Sequence, residues 1–307
     1  MFIQMVNIQA ALLLYLLCGV LCRRLRIITP DNQQNFIDLL LTILMPCMVF
    51  NSFRSITLEM LRNTLSVLAV SLSVCLLSWL LGKVLYRRAA AERRDVLRYA
   101  TLINNAGFAG LPLAQEMFGE EGLIYASVFL IPIRIFMWSA GITMLSQQRS
   151  DWKSVGIKLL KNPCILAVLA GLARGLLQVS FPPFVETALS RLGDCVSPLS
   201  MVLIGSIIAG VEPRGLLDKW VVSYTELRLI VLPLCVLALG RLLGLPAAVT
   251  GTAVTLTAMP AATTTPAATT TALLAARYGA DTAFASRLVL VSTVLSLVTA
   301  PFLLLFL

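Results

Sequence analysis

The segment NNAGFAGLP, residues 104–112, interrupts an apolar stretch of the chain and decides the class of fold. Two side-chain amides come first, Gly107 and Gly110 then allow a helix to unwind, and Pro112 can open a new helix. A helix broken within a bilayer frees backbone N–H and C=O groups that lipid cannot satisfy, so breaks survive only beside protein or a water-filled cavity. The pattern favours a discontinuous membrane helix; a kinked helix packed closely through its glycines is the alternative.

The whole chain has the composition of a membrane protein. Of its 307 residues, 58% are hydrophobic and only 13% are charged, against roughly 25% charged residues in soluble domains. Apolar runs near the length that crosses a bilayer, about 20 residues, recur from end to end without a polar stretch long enough for a soluble domain. We predict a single all-α integral membrane domain over residues 1–307, with ten transmembrane helices at about residues 6–22, 35–53, 64–86, 99–117, 123–146, 162–180, 187–210, 224–244, 249–276 and 283–306.

Basic residues cluster in the short connections between the predicted helices. Of the 24 lysines and arginines, 18 lie at odd-numbered connections, five lie at even-numbered ones, and Arg134 lies inside a span. The positive-inside rule then puts the odd-numbered connections in the cytoplasm and both termini outside the cell membrane. The net charge of +9 therefore reports orientation in the lipid bilayer, and we expect no nucleic-acid partner.

Short motifs of the first half recur in the second. Phe118-Gly119 followed by YAS has a counterpart in Tyr278-Gly279 followed by FAS. An odd number of helices per half makes the second half enter the membrane in the opposite sense. In many secondary transporters, two such inverted halves exchange conformations and so exchange the side to which a central site opens. We predict two inverted five-helix repeats, at about residues 6–146 and 162–306.

The predicted ninth helix carries a second interruption, in AMPAATTTPAATTTALLAARYG at residues 258–279. Its two prolines disfavour a continuous helix, and its threonine hydroxyls are available to a polar substrate or to freed carbonyls. The hexapeptide PAATTT occurs twice in tandem, so either Pro260 or Pro266 marks the break, with Thr263 and Thr264 as candidate substrate ligands. A kinked span without a site is the alternative.

Three asparagines are candidate substrate-binding residues. Asn104 and Asn105 precede the half-helix that Pro112 opens, and the N-terminus of that half-helix would offer free N–H groups and a partial positive charge to an anion. Asn51, in the second predicted helix, is a weaker candidate, because an asparagine also joins helices by hydrogen bonds.

Arg134 is the most deeply placed charge in the sequence. Inserting an arginine at the centre of a membrane helix costs about 2.5–3.5 kcal/mol, so a compensating partner is required. Two partners are compatible with the sequence: a substrate carboxylate, or a structural ion pair with Glu116 or Glu226.

The sequence lacks the residues and motifs that several classes of chemistry require. The chain has no histidine, its seven cysteines lack metal-ligand spacing, and it contains no P-loop, dinucleotide fingerprint or HExxH motif. We therefore predict neither an enzyme nor a resident cofactor or metal. Coupling to H⁺ or Na⁺ is left unassigned, because no Asp or Glu lies convincingly in mid-membrane.

The chain resembles the auxin efflux carrier family, which includes bacterial malonate and malate carriers. The resemblance runs over nearly the whole length and is carried by NNAGFAGLPLAQEMFG (104–119), KNPCILAVLAG (161–171), SPLSMVLIGSIIAG (197–210), AMPAATTT (258–265), AARYGADTAFAS (275–286) and STVLSLVTAP (292–301). It implies two inverted five-helix repeats, with helices 4 and 9 crossing at broken centres where a carboxylate-bearing substrate binds. By motif, the roles fall on Asn104, Asn105 and Pro112, and on Pro260 or Pro266 with neighbouring threonines.

Two departures from the family pattern bear on the substrate. The long cytoplasmic loop of the plant members is absent, which argues against assuming auxin, and the duplicated PAATTT is not expected in the family. Our first hypothesis is a secondary carrier of small organic anions; a membrane sensor or assembly subunit that binds a ligand without moving it is second, and an intramembrane enzyme is last. A homodimer is one of the oligomeric states compatible with the sequence.

Overall fold

The computed structural model describes residues 2–104, 106–137, 153, 156–157, 160–210, 218–260 and 282–304, and this part of the chain is helical without a strand. Its α-helices are α1 Phe2–Arg24, α2 Gln33–Leu39, α3 Met45–Ser52, α4 Leu58–Leu85, α5 Ala91–Leu102, α6 Leu111–Phe136, α7 Pro163–Leu176, α8 Pro183–Asp194, α9 Val196–Ala209, α10 Lys219–Glu226, α11 Leu232–Leu242, α12 Ala247–Thr257 and α13 Thr282–Leu304. The predicted all-α class is confirmed.

Several of these helices have the length and surface of membrane spans. Among the described residues, four continuous helical stretches are long and apolar enough to cross a bilayer: Gln33–Ser52, Leu58–Arg88, Pro183–Ala209 and Lys219–Leu242. On α4, the exposed side chains of Leu65, Leu72, Leu76 and Leu80 share one helical face, whereas Val67, Val70 and Val74 are buried. An exposed leucine face opposite a buried valine face is expected of a helix that borders lipid.

In the described part of the chain, a π-helical segment precedes a proline in three places. The five-residue π-helical segments Leu40–Leu44, Ala106–Gly110 and Leu227–Val231 each run directly into an α-helix whose second residue is proline. Proline has no N–H and its ring collides with the carbonyl four residues earlier, so a wider turn relieves the collision without ending the helix.

The helices pack into two groups, each drawn from both halves of the chain. In the first body, α1 lies along α9, and α3 packs against α7 and α8. In the second body, α4 packs against α5 and α6, α12 packs against α6 and α11, and α10 packs against α13. The bodies meet mainly where α3 and α7 approach α6, and where α1 approaches α13.

Glycines allow the closest approach within the first body. A Cβ added at Gly205 of α9 would overlap the carbonyl oxygen of Leu16, and one added at Gly19 of α1 would overlap the carbonyl oxygen of Val202. Close backbone packing of this kind is how small residues hold membrane helices together. The α1–α9 seam therefore depends on the absence of side chains at these two positions.

The fourth predicted span begins earlier than its hydropathy indicates. Helix α5 starts at Ala91, not near residue 99, because AERRDVLRYATL (91–102) is rich in helix formers although five of its first eight residues are charged. The start taken from the apolar run was wrong by two turns of helix. The extension carries Arg93, which pairs with Asp218 at 2.9 Å and joins α5 to the start of α10.

Gly119 separates the two arms of α6, within the acidic FGEEG loop. Its φ of 64° and ψ of −154° lie in a region that only glycine adopts readily, and a Cβ added there would meet nothing within 4 Å. We expect Gly119→Ala to lower the free energy of unfolding by about 1–2 kcal/mol through backbone strain alone. Thermal unfolding of the purified protein measures this, and an unchanged melting temperature would contradict it.

Candidate functional site

The fourth span is broken at the start of the NNAGFAGLP segment. Helix α5 ends at Leu102, Ile103 is extended with φ −111° and ψ 113°, and helical structure resumes at Ala106. Pro112 then sits buried in the first turn of α6. The geometry is that of the predicted discontinuous helix rather than of a kink.

The ninth predicted span also stops in mid-sequence. Helix α12 ends at Thr257, and Met259 and Pro260 follow outside helical structure. Pro260 therefore lies just beyond the C-terminal end of α12. Thr263, Thr264 and Pro266 lie outside the described residues, as does Asn105, and their roles stay predictions.

The break in the fourth span is in direct contact with the C-terminal end of α12. The Asn104 side chain is buried, donates from Nδ2 to the carbonyl oxygen of Leu256 in the last turn of α12, and accepts at Oδ1 from the Ala106 N–H at 3.4 Å. Beside it, a Cβ on Gly110 would lie 3.2 Å from Cγ of Met259. Asn104 thus caps the half-helix that follows the break and binds the end of α12.

We expect Asn104→Ala to destabilise the protein by about 1–3 kcal/mol, because the substitution removes a buried hydrogen bond to the Leu256 carbonyl and takes the Asn104 acceptor away from the buried Ala106 N–H. The melting temperature of the purified protein measures the loss. Asn35→Ala serves as the control, since the Asn35 side chain is exposed. Equal melting temperatures for the two variants would show that Asn104 does not join the break to α12.

Arg134 lies against the first break. A Cβ added at Gly107 would lie 2.6 Å from Nη2 of Arg134, so the guanidinium occupies the space that the missing side chain leaves. Among the described residues, neither Glu116 nor Glu226 pairs with Arg134; its one hydrogen-bond contact there runs from Nη1 to Sδ of Met137 at 3.8 Å. The ion-pair alternative is therefore not found in this part of the chain, and the other alternative, a substrate carboxylate, stays a prediction.

Small cavities lie on opposite faces of the half-helix that follows the first break. One is lined by Arg134, Ser127 and Leu111 from the second body and by residues of α3 and α7, including Val49 and Asn162. The other is lined by Ala109, Leu113, Met259 and Pro260 with Thr293 and Ser296 of α13, against Leu12, Leu16, Met201 and Ile204 of the first body. Both cavities therefore border the interface between the bodies.

Asn51 is not joined to the break or to the end of α12 by a hydrogen bond in the described part of the chain. Its Oδ1 is buried and has no hydrogen-bond partner there. The structure thus brings together Asn104, Gly107, Gly110 and Arg134, with Pro260 nearby, and leaves Asn51 as a separate prediction.

Arg228 is a residue that the sequence interpretation misplaced. Counting basic residues assigned it to an odd-numbered connection, but it lies in the π-helical segment Leu227–Val231, within the apolar stretch Lys219–Leu242, and is only 1% exposed. Nη1 donates to the carbonyl oxygen of Thr101 at 2.9 Å and Nε to that of Met259 at 3.3 Å. The sequence signal that could have placed Arg228 inside the helix was its position within an apolar run. Without Arg228, the basic residues still lie mainly in the odd-numbered connections.

The sequence is similar to known proteins over most of its length. A family model described as "Membrane transport protein" matches residues 4–304. The chain belongs to this family. The match confirms the resemblance to auxin efflux carriers, and it makes the protein a multi-pass membrane transporter.

Two archaeal relatives fall in the same class. The chain is 25% identical over 273 residues to a protein of Methanocaldococcus jannaschii, covering 83% of this chain and 85% of the relative. It is 22% identical over 294 residues to a protein of Methanothermobacter thermautotrophicus, covering 95% and 94%. Both are described as uncharacterized transporters. Membership of the membrane transport protein family thus favours transport over catalysis.

Proposed function

We propose that the protein transports small organic anions, such as malonate, malate or auxin-like carboxylates, by alternating access. The observation that carries this proposal is Arg134, a guanidinium at the first helix break that pairs with neither glutamate weighed as its partner. A charge in this position requires compensation, and a substrate carboxylate supplies it.

The surroundings of Arg134 suit a small carboxylate. Arginine binds a carboxylate through two parallel N–H···O bonds, and the N-terminal end of the half-helix from Ala106 adds a partial positive charge on the same side. Leu111, Leu130 and Val168 line the cavity beside the guanidinium, whose volume in this conformation is about 20 Å³. A short carbon chain would meet these apolar walls once movement of the two bodies widens the cavity. Neutral or cationic solutes gain nothing from this arrangement.

The two-body packing supports alternating access. Helices α1 and α3 of the first body come from the first half of the chain, and α7, α8 and α9 come from the second. Such reciprocal packing is expected of two inverted repeats. Movement of the second body against the first would widen one interface cavity while narrowing the other, and so change the side to which the anion site opens.

We extend the proposal to the membrane location and the orientation of the protein. We place it in the cell membrane with both termini outside, on the distribution of basic residues between connections. A homodimer is compatible with this arrangement, and coupling by H⁺ or Na⁺ stays unassigned.

Reconstitution in proteoliposomes tests the function. Radiolabelled malonate and malate, within a broad panel of carboxylates, are expected to enter vesicles containing the protein faster than empty vesicles, and internal unlabelled substrate is expected to accelerate entry. Ligand-dependent thermal stabilisation without such counterflow would instead favour a sensor. An absence of flux across the whole panel would contradict the proposal.

A further inference from the structure

Arg228 links the C-terminal ends of α5 and α12. Thr101, which accepts from Nη1 at 2.9 Å, lies in the last turn of α5. Met259, which accepts from Nε at 3.3 Å, lies just past the end of α12. A single guanidinium therefore binds backbone carbonyl groups at two helix ends that are far apart in sequence.

The charge of Arg228 matches what these helix ends present. The C-terminus of a helix carries a partial charge of about −0.5, so two such ends amount to about −1, opposite to one guanidinium. The neighbouring freed carbonyls have neutral donors: Asn104 binds the Leu256 carbonyl, and the Tyr224 hydroxyl binds that of Ala100 at 3.3 Å.

Among the described residues, the other titratable side chains near Arg228 carry no compensating charge. They are Tyr224, Cys75 and Tyr86, whose phenol and thiol groups are ordinarily neutral near pH 7. Among the described residues, no carboxylate forms an ion pair with Arg228. Its counter-charge in this part of the chain consists of carbonyl dipoles.

Carbonyl groups at the ends of interrupted helices are where many secondary transporters bind a coupling cation. We propose that Arg228 is a built-in cation of the helix crossing, occupying with its guanidinium the place that Na⁺ takes in such transporters. The fold of this protein then needs no Na⁺ at the crossing. A consequence that rests on the proposed function is that anion transport proceeds without a Na⁺ gradient.

Thermal unfolding of the purified full-length protein tests the cation role without requiring transport. We expect the wild-type melting temperature to be the same in NaCl, KCl and choline chloride at equal ionic strength. Arg228→Ala removes two charge-assisted hydrogen bonds, so its melting temperature should fall by about 5 °C or more, and part of that loss should be recovered in NaCl only. A Na⁺-specific rise for the wild type, an unaltered Arg228→Ala, or an Arg228→Ala without a Na⁺ response would each overturn the proposal.

A second variant covers the case in which Arg228→Ala does not fold. Arg228→Lys keeps the positive charge but not the planar fork of donors, and it should fold with an intermediate melting temperature that is independent of Na⁺. A Na⁺-dependent Arg228→Lys protein would contradict the inference. Arg191→Ala, at an exposed arginine of α8, is the control for loss of one positive charge.

Uptake measurements separate this inference from the proposed function. Carboxylate uptake that is equal with Na⁺ or choline outside the vesicles supports both. Uptake that requires Na⁺ would overturn the Arg228 inference while leaving anion transport intact. The expected melting pattern without any carboxylate uptake would overturn anion transport while leaving the cation role of Arg228 intact.

Discussion

Arg134→Ala is expected to slow carboxylate uptake into proteoliposomes by about tenfold to a hundredfold, the equivalent of hydrogen bonds between a charged donor and a carboxylate. The guanidinium lies against Gly107 at the first break and does not pair with Glu116 or Glu226. Removing it should therefore weaken anion binding without breaking an ion pair with either glutamate. Initial uptake rates, normalised to the amount of reconstituted protein, provide the measurement.

Two further variants test whether the effect of Arg134→Ala is specific. Arg134→Lys retains the charge without the two-pronged donor geometry, so its uptake should lie between those of the wild type and Arg134→Ala. Arg62→Ala removes an exposed arginine of α4 and should leave uptake unchanged. If Arg134→Ala and Arg62→Ala transport equally well, Arg134 does not bind the substrate.

Gly205→Ala is expected to destabilise the protein by about 3 kcal/mol or more, at the upper end of overpacking effects. The added methyl group would overlap the backbone carbonyl of Leu16, and a backbone atom cannot move aside as the tip of a flexible side chain can. Helices α1 and α9 must then separate along the seam. The melting temperature in detergent should fall by about 6 °C or more.

Gly82→Ala is the matched control for the seam. Gly82 is also a buried helical glycine, but a Cβ there would lie 3.6 Å from the nearest atom, an ordinary contact distance. Alanine is the better helix former by up to about 1 kcal/mol, so this variant should be as stable as the wild type or slightly more stable. Equal melting temperatures for the Gly205→Ala and Gly82→Ala proteins would refute the close α1–α9 packing.

Local patterns predicted the features that depend on local chemistry. Glycine and proline act on their own segment of backbone, so the break at Asn104 and the turn at Gly119 could be read from NNAGFAGLP and FGEEG. Hydropathy likewise located the spans Gln33–Ser52 and Lys219–Leu242 to within a few residues. It missed the start of α5, because helix formation there depends on propensity and not on apolar character.

Long-range contacts account for what the sequence could not reveal. The hydrogen bonds of Arg228 reach Thr101 and Met259, residues 127 and 31 positions away, and no periodicity within its own helix identifies those acceptors. The same holds for the Arg134 guanidinium beside Gly107. Sequence reasoning could propose two acidic partners for Arg134, and the structure forms an ion pair with neither of them among the described residues.

The reciprocal packing of α1 with α9 and of α3 with α7 has a consequence for biosynthesis. Neither body is complete until helices of the second half have emerged from the ribosome, so the earlier helices must wait in the bilayer without their final neighbours. Mature packing is then a late event that follows insertion of the whole polypeptide. Nascent chains stalled after α6 should accordingly remain sensitive to membrane proteases until the remaining helices arrive.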